Sequence, residues 1–257
     1  MMSFCRSVPP PDALRRALLR GGLAAAVTAP LAAAGCARAT RPAAAVDRDP
    51  DERLTPAQAW RRLAEGNRHW VEGKLLHPDQ SDRRRRQVAA RQSPLATVVT
   101  CIDSRVPPET VFDQGVGDLF AVRTGAQTLD GLVTGSVEYG PLENGTPLIV
   151  VLGHQRCGAV AAAVTALTGG HRPRGGLGAI VTALRPAFAD ARRQAGSGAD
   201  PAALVEATVR AQILRTVRAL EADPALRERR RSGALGLVGA YYSLDTGLVS
   251  PLATLGV

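Results

Sequence analysis

Two short apolar runs without polar alternation stand out along the chain, at residues 94–100 (PLATVVT) and 147–153 (PLIVVLG). Such runs predict strands that are buried on both faces of a sheet. Residues 118–124 predict a further strand. Two strand-like runs flank the turn Asp245-Thr246-Gly247, which is typical of a hairpin.

Helical patterns alternate with these strands. Thr55 and Pro56 suit the N-cap and the first turn of a leading helix, which we place at 54–72. The other predicted segments are a polar loop at 74–87 followed by a short helix to about residue 91, a helix and turn at 128–145, and helices at 157–170 and 201–220. The alternation predicts an α/β domain with a central, mainly parallel sheet flanked by helices.

The first 36 residues have the pattern of an export signal. The arginine pair Arg15-Arg16 precedes an apolar stretch at 23–34, and small residues lead to Cys36. The arginine pair resembles a twin-arginine signal. The residues before Cys36 resemble a lipoprotein processing site, although Ala33 stands where Leu is usual.

This pattern predicts three regions: an export signal at 1–36, a polar tether at 37–53 and one folded domain at 54–257. We therefore expect a protein of the periplasm or cell surface, or a secreted one. A lipid anchor at Cys36 would be its only membrane contact.

Composition adds little to this picture. The chain has 257 residues, of which 45% are hydrophobic, 21% charged and 4% aromatic, and its net charge is +9. The densest basic runs, at 83–86 and 229–231, adjoin Asp82 and Glu228. No aromatic residues interleave with these runs as a base-stacking surface requires, so we expect solvated helix faces and no nucleic-acid partner.

Cysteine and histidine follow both apolar strands. Cys101 and Asp103 come after the first strand, and His154 and Cys157 after the second. Because ligands gather at the carboxyl ends of parallel strands, we expect these side chains to meet. Two thiolates and one imidazole suit Zn²⁺ and leave a fourth position for water. In an exported domain, a disulfide between Cys101 and Cys157 is the alternative.

The alternate positions of Cys101, Asp103 and Arg105 suggest that each side chain has a different role at one site. On an extended segment the three side chains share one face. Cys101 can then hold the metal, Asp103 can accept a hydrogen bond from metal-bound water, and Arg105 can keep that carboxylate ionised. Zinc lowers the pKa of its water from about 15.7 to about 7, so hydroxide is available as a nucleophile near neutral pH.

An ordered series of motifs resembles the β-class carbonic anhydrases. It comprises CIDSRVPPE, FDQGVGDLFAVR, GSVEYG and PLIVVLGHQRCGAV, with further likeness in LAEGNRHWVEGK and VGAYYSLDTGLV, and it spans roughly residues 54–252. The resemblance implies zinc-dependent, reversible hydration of carbon dioxide to bicarbonate and a proton. It implies Cys101, His154 and Cys157 as ligands, and Asp103 with Arg105 as a gating dyad. Asp103 would become a fourth ligand in a closed state.

The resemblance also implies a homodimer or a higher homo-oligomer. Gln92 would reach the site from the partner subunit, Phe120 would line an apolar substrate pocket, and Gly158 would let the backbone pass close to the site. The chain departs from the family at residues 122–127, VRTGAQ, where many members read VRVAGN. Two competing functions share these ligands: hydrolysis of carbonyl sulfide or carbon disulfide on the same fold, and a non-catalytic closed zinc site.

Overall fold

The computed structural model describes residues 48–49, 52–169, 173–196 and 198–257. The predicted export signal and the lipidation residue Cys36 lie outside these described residues. The helices are α1 (Pro56–Val71), α2 (Asp82–Gln87), α3 (Pro108–Val111), α4 (Gly131–Glu143), α5 (Gly158–Gly169), α6 (Gly176–Ala195), α7 (Pro201–Ala222) and α8 (Arg227–Arg231). The strands are β1 (Ala96–Cys101), β2 (Leu119–Thr124), β3 (Leu148–His154), β4 (Gly236–Tyr242) and β5 (Val249–Leu255).

The five strands form one sheet in the order β2-β1-β3-β4-β5. The pairs β1–β2, β1–β3 and β3–β4 are parallel, and β4–β5 is antiparallel. The predicted mainly parallel α/β architecture is therefore confirmed, including the terminal hairpin around residues 245–247.

Helices cover both faces of the sheet, which explains why its strands lack alternation. In β1, Val98 packs in a core with Leu63 of α1 and Phe112, whereas Val99 packs on the other face with residues of α5, α6 and α7. Val150 and Val151 of β3 divide in the same way. Successive side chains of a strand point to opposite faces, so a strand buried on both faces is apolar at every position.

The start of α1 follows the predicted cap. The Thr55 hydroxyl accepts a hydrogen bond from the Gln58 backbone N–H at 3.3 Å, and the Gln58 side chain accepts one from the Thr55 N–H at 2.8 Å. These two bonds form a capping box, and Pro56 occupies the first turn. Among the described residues, no helix is long and apolar enough to cross a membrane.

Two local expectations were wrong, and one helix was not predicted. The short helix α2 lies inside the segment expected as loop, where Ser81 caps it through the Arg84 N–H, and residues 88–91 are not helical. The 20-residue helix α6 was not predicted. Its Pro186 and its glycine-rich start obscure a helical pattern, although Leu184 and Ala187 pack in the core.

Arg48, in the segment predicted as a polar tether, makes buried contacts with the folded domain. It is 5% exposed, and its backbone N–H donates to Asp79 Oδ1 at 2.6 Å. Its Nε lies 3.3 Å from Asp118 Oδ1. Arg84, which is fully buried, also bonds Asp118 Oδ1, at 3.0 Å. Two arginines thus neutralise two carboxylates at the amino end of the sheet, since a buried charge needs a partner.

We predict that Arg48→Ala destabilises the protein strongly. Removing one partner of a buried ion pair costs roughly 3–5 kcal/mol, and we expect the lower end because Arg84 remains. Chemical denaturation monitored by circular dichroism measures the change in unfolding free energy. Arg53→Ala is the matched control: Arg53 is exposed and bonds Ser93 Oγ at 3.1 Å. Its expected effect is within about 0.5 kcal/mol. Equal effects of the two substitutions would contradict a buried role for Arg48.

Candidate metal centre

Parallel pairing of β1 and β3 brings their carboxyl ends to one edge of the sheet. Thr100 is paired with Leu152, so Cys101 and His154 end neighbouring strands. Cys157 directly precedes α5. The ligand atoms of Cys101, His154 and Cys157 all lie within 4.8 Å of one another, and all three residues are buried. The geometry therefore unites the three residues that the sequence singled out.

The two sulfur atoms are adjacent but not bonded. Cys101 Sγ and Cys157 Sγ are 3.8 Å apart, and both cysteines are free. A disulfide bond requires about 2.05 Å. The arrangement is that of two thiols that face a common point, and the disulfide alternative is not what the structure contains.

Electrostatics within this pair favour a cation. Hydrogen bonds from the Cys157 thiol and from backbone N–H groups lower the pKa of the Cys101 thiol. The same neighbour, followed by burial, raises the pKa of Cys157. One thiolate thus opposes ionisation of the other, because like charges at this distance repel. Two thiolates coexist here when a cation lies between them.

The His154 ring is oriented for ligation. Its Nδ1 lies 3.0 Å from the Gln155 backbone carbonyl, which can only accept, so Nδ1 carries the proton. Its Nε2 is buried and has no hydrogen-bond partner among the described residues. Metal-bound histidines commonly donate their other nitrogen to a carbonyl in this way. Two sulfurs and one free imidazole nitrogen fit a zinc ion.

Asp103 and Arg105 form the expected pair, although a turn and not an extended segment brings them together. Residues 101–105 are not one extended segment: β1 stops at Cys101 and a turn follows, in which the Val106 N–H donates to the Asp103 carbonyl at 3.1 Å. The Asp103 carboxylate accepts the Arg105 backbone N–H at 3.0 Å and the guanidinium at 2.9 and 2.8 Å.

This contact fixes both the charge and the position of the carboxylate. Hydrogen bonds from Arg105 hold the pKa of Asp103 well below its usual range, so it is ionised at neutral pH. Its Oδ2 lies 3.9 Å from His154 Nε2. An anionic oxygen therefore sits at the rim of the three-ligand cluster.

The residues that hold this turn were not anticipated. Arg123 of β2 donates from Nε to the Cys101 carbonyl at 3.0 Å and from Nη2 to the Asp103 carbonyl at 2.6 Å. The Ala126 backbone N–H donates to Cys101 Sγ at 3.4 Å. The pairing of Thr100 with Arg123 places this arginine. Strand register is the signal that would have found it, and register is not visible in a single strand's sequence.

Within one chain, Gln92 and Phe120 lie away from the cluster. Gln92 is exposed and precedes β1, whose far end carries Cys101. Phe120 is paired with Thr97, toward the amino end of β1, and its ring meets Tyr139 edge-on at 5.7 Å. Gly158 starts α5 beside Cys157, and a Cβ there would contact nothing within 4 Å. Packing within one subunit thus does not require glycine at 158.

Comparisons with known proteins agree with these observations. Residues 96–249 match the family model described as carbonic anhydrase. The chain is 42% identical over 193 residues to carbonic anhydrase 2 of Mycobacterium tuberculosis, covering 75% of this chain and 90% of the relative. It is 39% identical over 203 residues to a carbonic anhydrase of Mycolicibacterium smegmatis, covering 78% and 95%.

Solved structures give the same fold. A tetrameric β-carbonic anhydrase from Sordaria macrospora aligns with a TM-score of 0.62 at 22% identity, covering 76% of this chain and 98% of that one. The family match and the extent of the mycobacterial similarity together show that this chain belongs to the β-class carbonic anhydrases.

Proposed function

We propose that the protein catalyses the reversible hydration of carbon dioxide to bicarbonate and a proton, at a zinc ion held by Cys101, His154 and Cys157. The observation that carries the proposal is the buried cluster of these three side chains, with His154 Nε2 left free among the described residues. Membership of the carbonic anhydrase family supports the reaction.

The zinc ion and the protein side chains would contribute different parts of the chemistry. Bound zinc supplies the Lewis acidity that makes water a nucleophile near neutral pH. Asp103, held ionised by the Arg105 guanidinium, would serve as a hydrogen-bond acceptor that orients the nucleophile beside the ion. Arg105 acts through this carboxylate. Because three hydrogen bonds from Arg105 engage Asp103, its carboxylate is drawn toward the arginine, which favours a site that is open to substrate.

The surface beside β2 and α4 is suited to bind a second copy of the chain. β2 is one of the two edge strands of the sheet, and large apolar side chains on and around α4 are exposed, including Leu132 at 86% and Tyr139 at 50%. Exposed apolar area beside an open strand edge is typical of a protein interface. The Sordaria relative is described as tetrameric. We infer a homodimer formed through β2 and α4.

The same interface gives a role to two predicted site residues. Phe120 lies on β2 against Tyr139, and Gln92 is exposed just before β1. Phe120 lies on the edge strand β2 and Gln92 precedes the amino end of β1, so both lie toward the opposite ends of these strands from the metal cluster. We propose that each serves the partner subunit's pocket, where Phe120 provides an apolar wall for carbon dioxide and Gln92 a hydrogen bond to a substrate oxygen.

We also propose that the enzyme is exported. The support is the leader itself: Arg15-Arg16, the apolar stretch at 23–34 and the small residues before Cys36. Cleavage before Cys36 would leave a lipid-anchored enzyme at the periplasmic or outer surface of the membrane.

Asp103→Ala is expected to lower kcat/KM for carbon dioxide hydration by about 10²-fold or more, because it removes the group that orients the nucleophile. Stopped-flow measurement with the zinc-loaded protein tests this, and zinc content by mass spectrometry should stay at wild-type level. Asp82→Ala, which alters an exposed ion pair with Arg85, is the control and should keep full activity.

Two results would contradict this assignment. Loss of zinc from Asp103→Ala would make Asp103 a structural ligand. A zinc-loaded wild-type protein that leaves carbon dioxide unchanged, yet hydrolyses carbonyl sulfide or carbon disulfide, would replace the proposed substrate.

Leu132→Asp should convert the dimer into a monomer, because it places a charge in an apolar interface. Light scattering coupled to gel filtration measures the mass. Leu248→Asp is a matched control, since Leu248 is 49% exposed and directly precedes β5, the strand at the opposite edge of the sheet. If Leu132→Asp leaves the mass unchanged, the assembly uses another surface. The monomer should also lose turnover, since each site would lack its partner's Gln92.

Mass spectrometry of the protein purified from membranes of an exporting bacterium should show an N-terminus at Cys36 that carries lipid. In Cys36→Ser the lipid should be absent and the protein should leave the membrane fraction. An uncleaved chain found only in the cytoplasm would refute export.

A further inference from the structure

The two residues between His154 and Cys157 are held by contacts from outside the metal cluster. Gln155 Nε2 donates to Asp245 Oδ2 at 2.8 Å, and the Ser243 hydroxyl donates to Gln155 Oε1 at 3.2 Å. The Arg156 guanidinium forms two hydrogen bonds to the Asp245 carboxylate, at 2.7 and 3.0 Å. This two-residue spacer is therefore fastened to the turn between β4 and β5.

The Arg156 backbone needs a further support. Its φ is +51°, in the left-handed region that residues other than glycine rarely adopt. Its N–H donates to Glu206 Oε1 at 2.7 Å. A strained backbone conformation persists only where neighbouring groups stabilise it. The Glu206 carboxylate can do so because it bonds directly to the Arg156 backbone. Asp245, by contrast, touches only the side chain of Arg156, and both side chains are more than half exposed.

Glu206 is itself fixed in place. Its other oxygen, Oε2, accepts a hydrogen bond from the Tyr241 hydroxyl, and Tyr241 is buried on β4. Glu206 belongs to α7, which lies unusually close to the sheet. A Cβ on Gly153 would be 2.6 Å from the Ile213 side chain of α7, and Gly153 directly precedes His154. Helix α7, which carries Glu206, thus packs closely against β3, which ends at His154.

We propose that Glu206 is a positioning residue for zinc: it fixes the Arg156 backbone and thereby holds His154 and Cys157 in the conformation that binds the ion. The proposal rests on the metal centre proposed above. Glu206 contacts neither ligand side chain. It acts on the spacer that sets their separation, as groups outside the ligand sphere do in other metal sites.

The test is zinc affinity, measured by competition with a chromophoric chelator, in Glu206→Ala and Glu206→Gln. We expect about 10–100-fold weaker binding in Glu206→Ala. Glu206→Gln should recover most of the loss, because its amide oxygen can still accept the Arg156 N–H. Glu221→Ala is the matched control on the same helix: Glu221 pairs with Arg230 on the surface and should leave the affinity unchanged.

A second pair of measurements separates positioning from stability. Tyr241→Phe removes the hydroxyl bonded to Glu206 but keeps the Arg156 contact, so it should lower the melting temperature of the zinc-free protein with little change in zinc affinity. In Glu206→Ala, the visible absorption bands of bound Co²⁺, which report ligand geometry, should shift relative to wild type.

The proposal is overturned if Glu206→Ala binds zinc within twofold of wild type while its zinc-free form melts lower. Should Glu206→Ala fail to fold, Glu206→Asp, whose carboxylate is one methylene shorter, must show the same loss of affinity. Failure of the metal centre itself gives a different result, because the wild-type protein would then not take up one zinc per chain.

Discussion

The molecule depends on the parallel pairing of two strands that are buried on both faces. β1 and β3 are neighbours in the sheet, and helices cover them on either side. Parallel strands end at the same edge, so the pairing alone brings Cys101 next to His154. Burial then removes water from the ligands, which strengthens the interactions among them. Sheet architecture and site chemistry are consequences of the same packing.

Around this edge, the site relies more on backbone contacts than on side-chain contacts. Arg123 bonds the carbonyls of Cys101 and Asp103, and a backbone N–H of residue 126 reaches Cys101 Sγ. On the other side, Glu206 bonds the N–H of Arg156. The segments that carry the ligands are therefore held mainly through their main chain, and the N–H that reaches Cys101 Sγ leaves other lone pairs of that sulfur to meet an ion.

Sequence reasoning succeeded where a residue's role follows from its own segment. The apolar runs located β1 and β3, and the residues that follow them included the Cys101, His154 and Cys157 cluster and the Asp103–Arg105 pair that the structure brings together. It did not find contacts that depend on how distant segments approach. Arg48, Arg123 and Glu206 are ordinary charged residues in the sequence, and their partners lie 20 to 70 positions away. Helix α6 was missed because proline and glycine weaken its local pattern.

The departure from the family pattern at residues 124–127 affects the backbone, not the ligands. Ala126 and Gln127 adopt φ values of +56° and +47°, in the left-handed region that glycine and asparagine adopt at a lower energetic cost. The contact to Cys101 comes from the Ala126 N–H, which any residue except proline supplies. The substitutions therefore keep the hydrogen bond to the ligand and cost conformational energy, roughly 1–2 kcal/mol for each left-handed residue. That cost is offset by the packing that buries both residues beneath α7, so the backbone N–H that bonds Cys101 stays in place despite the different side chains.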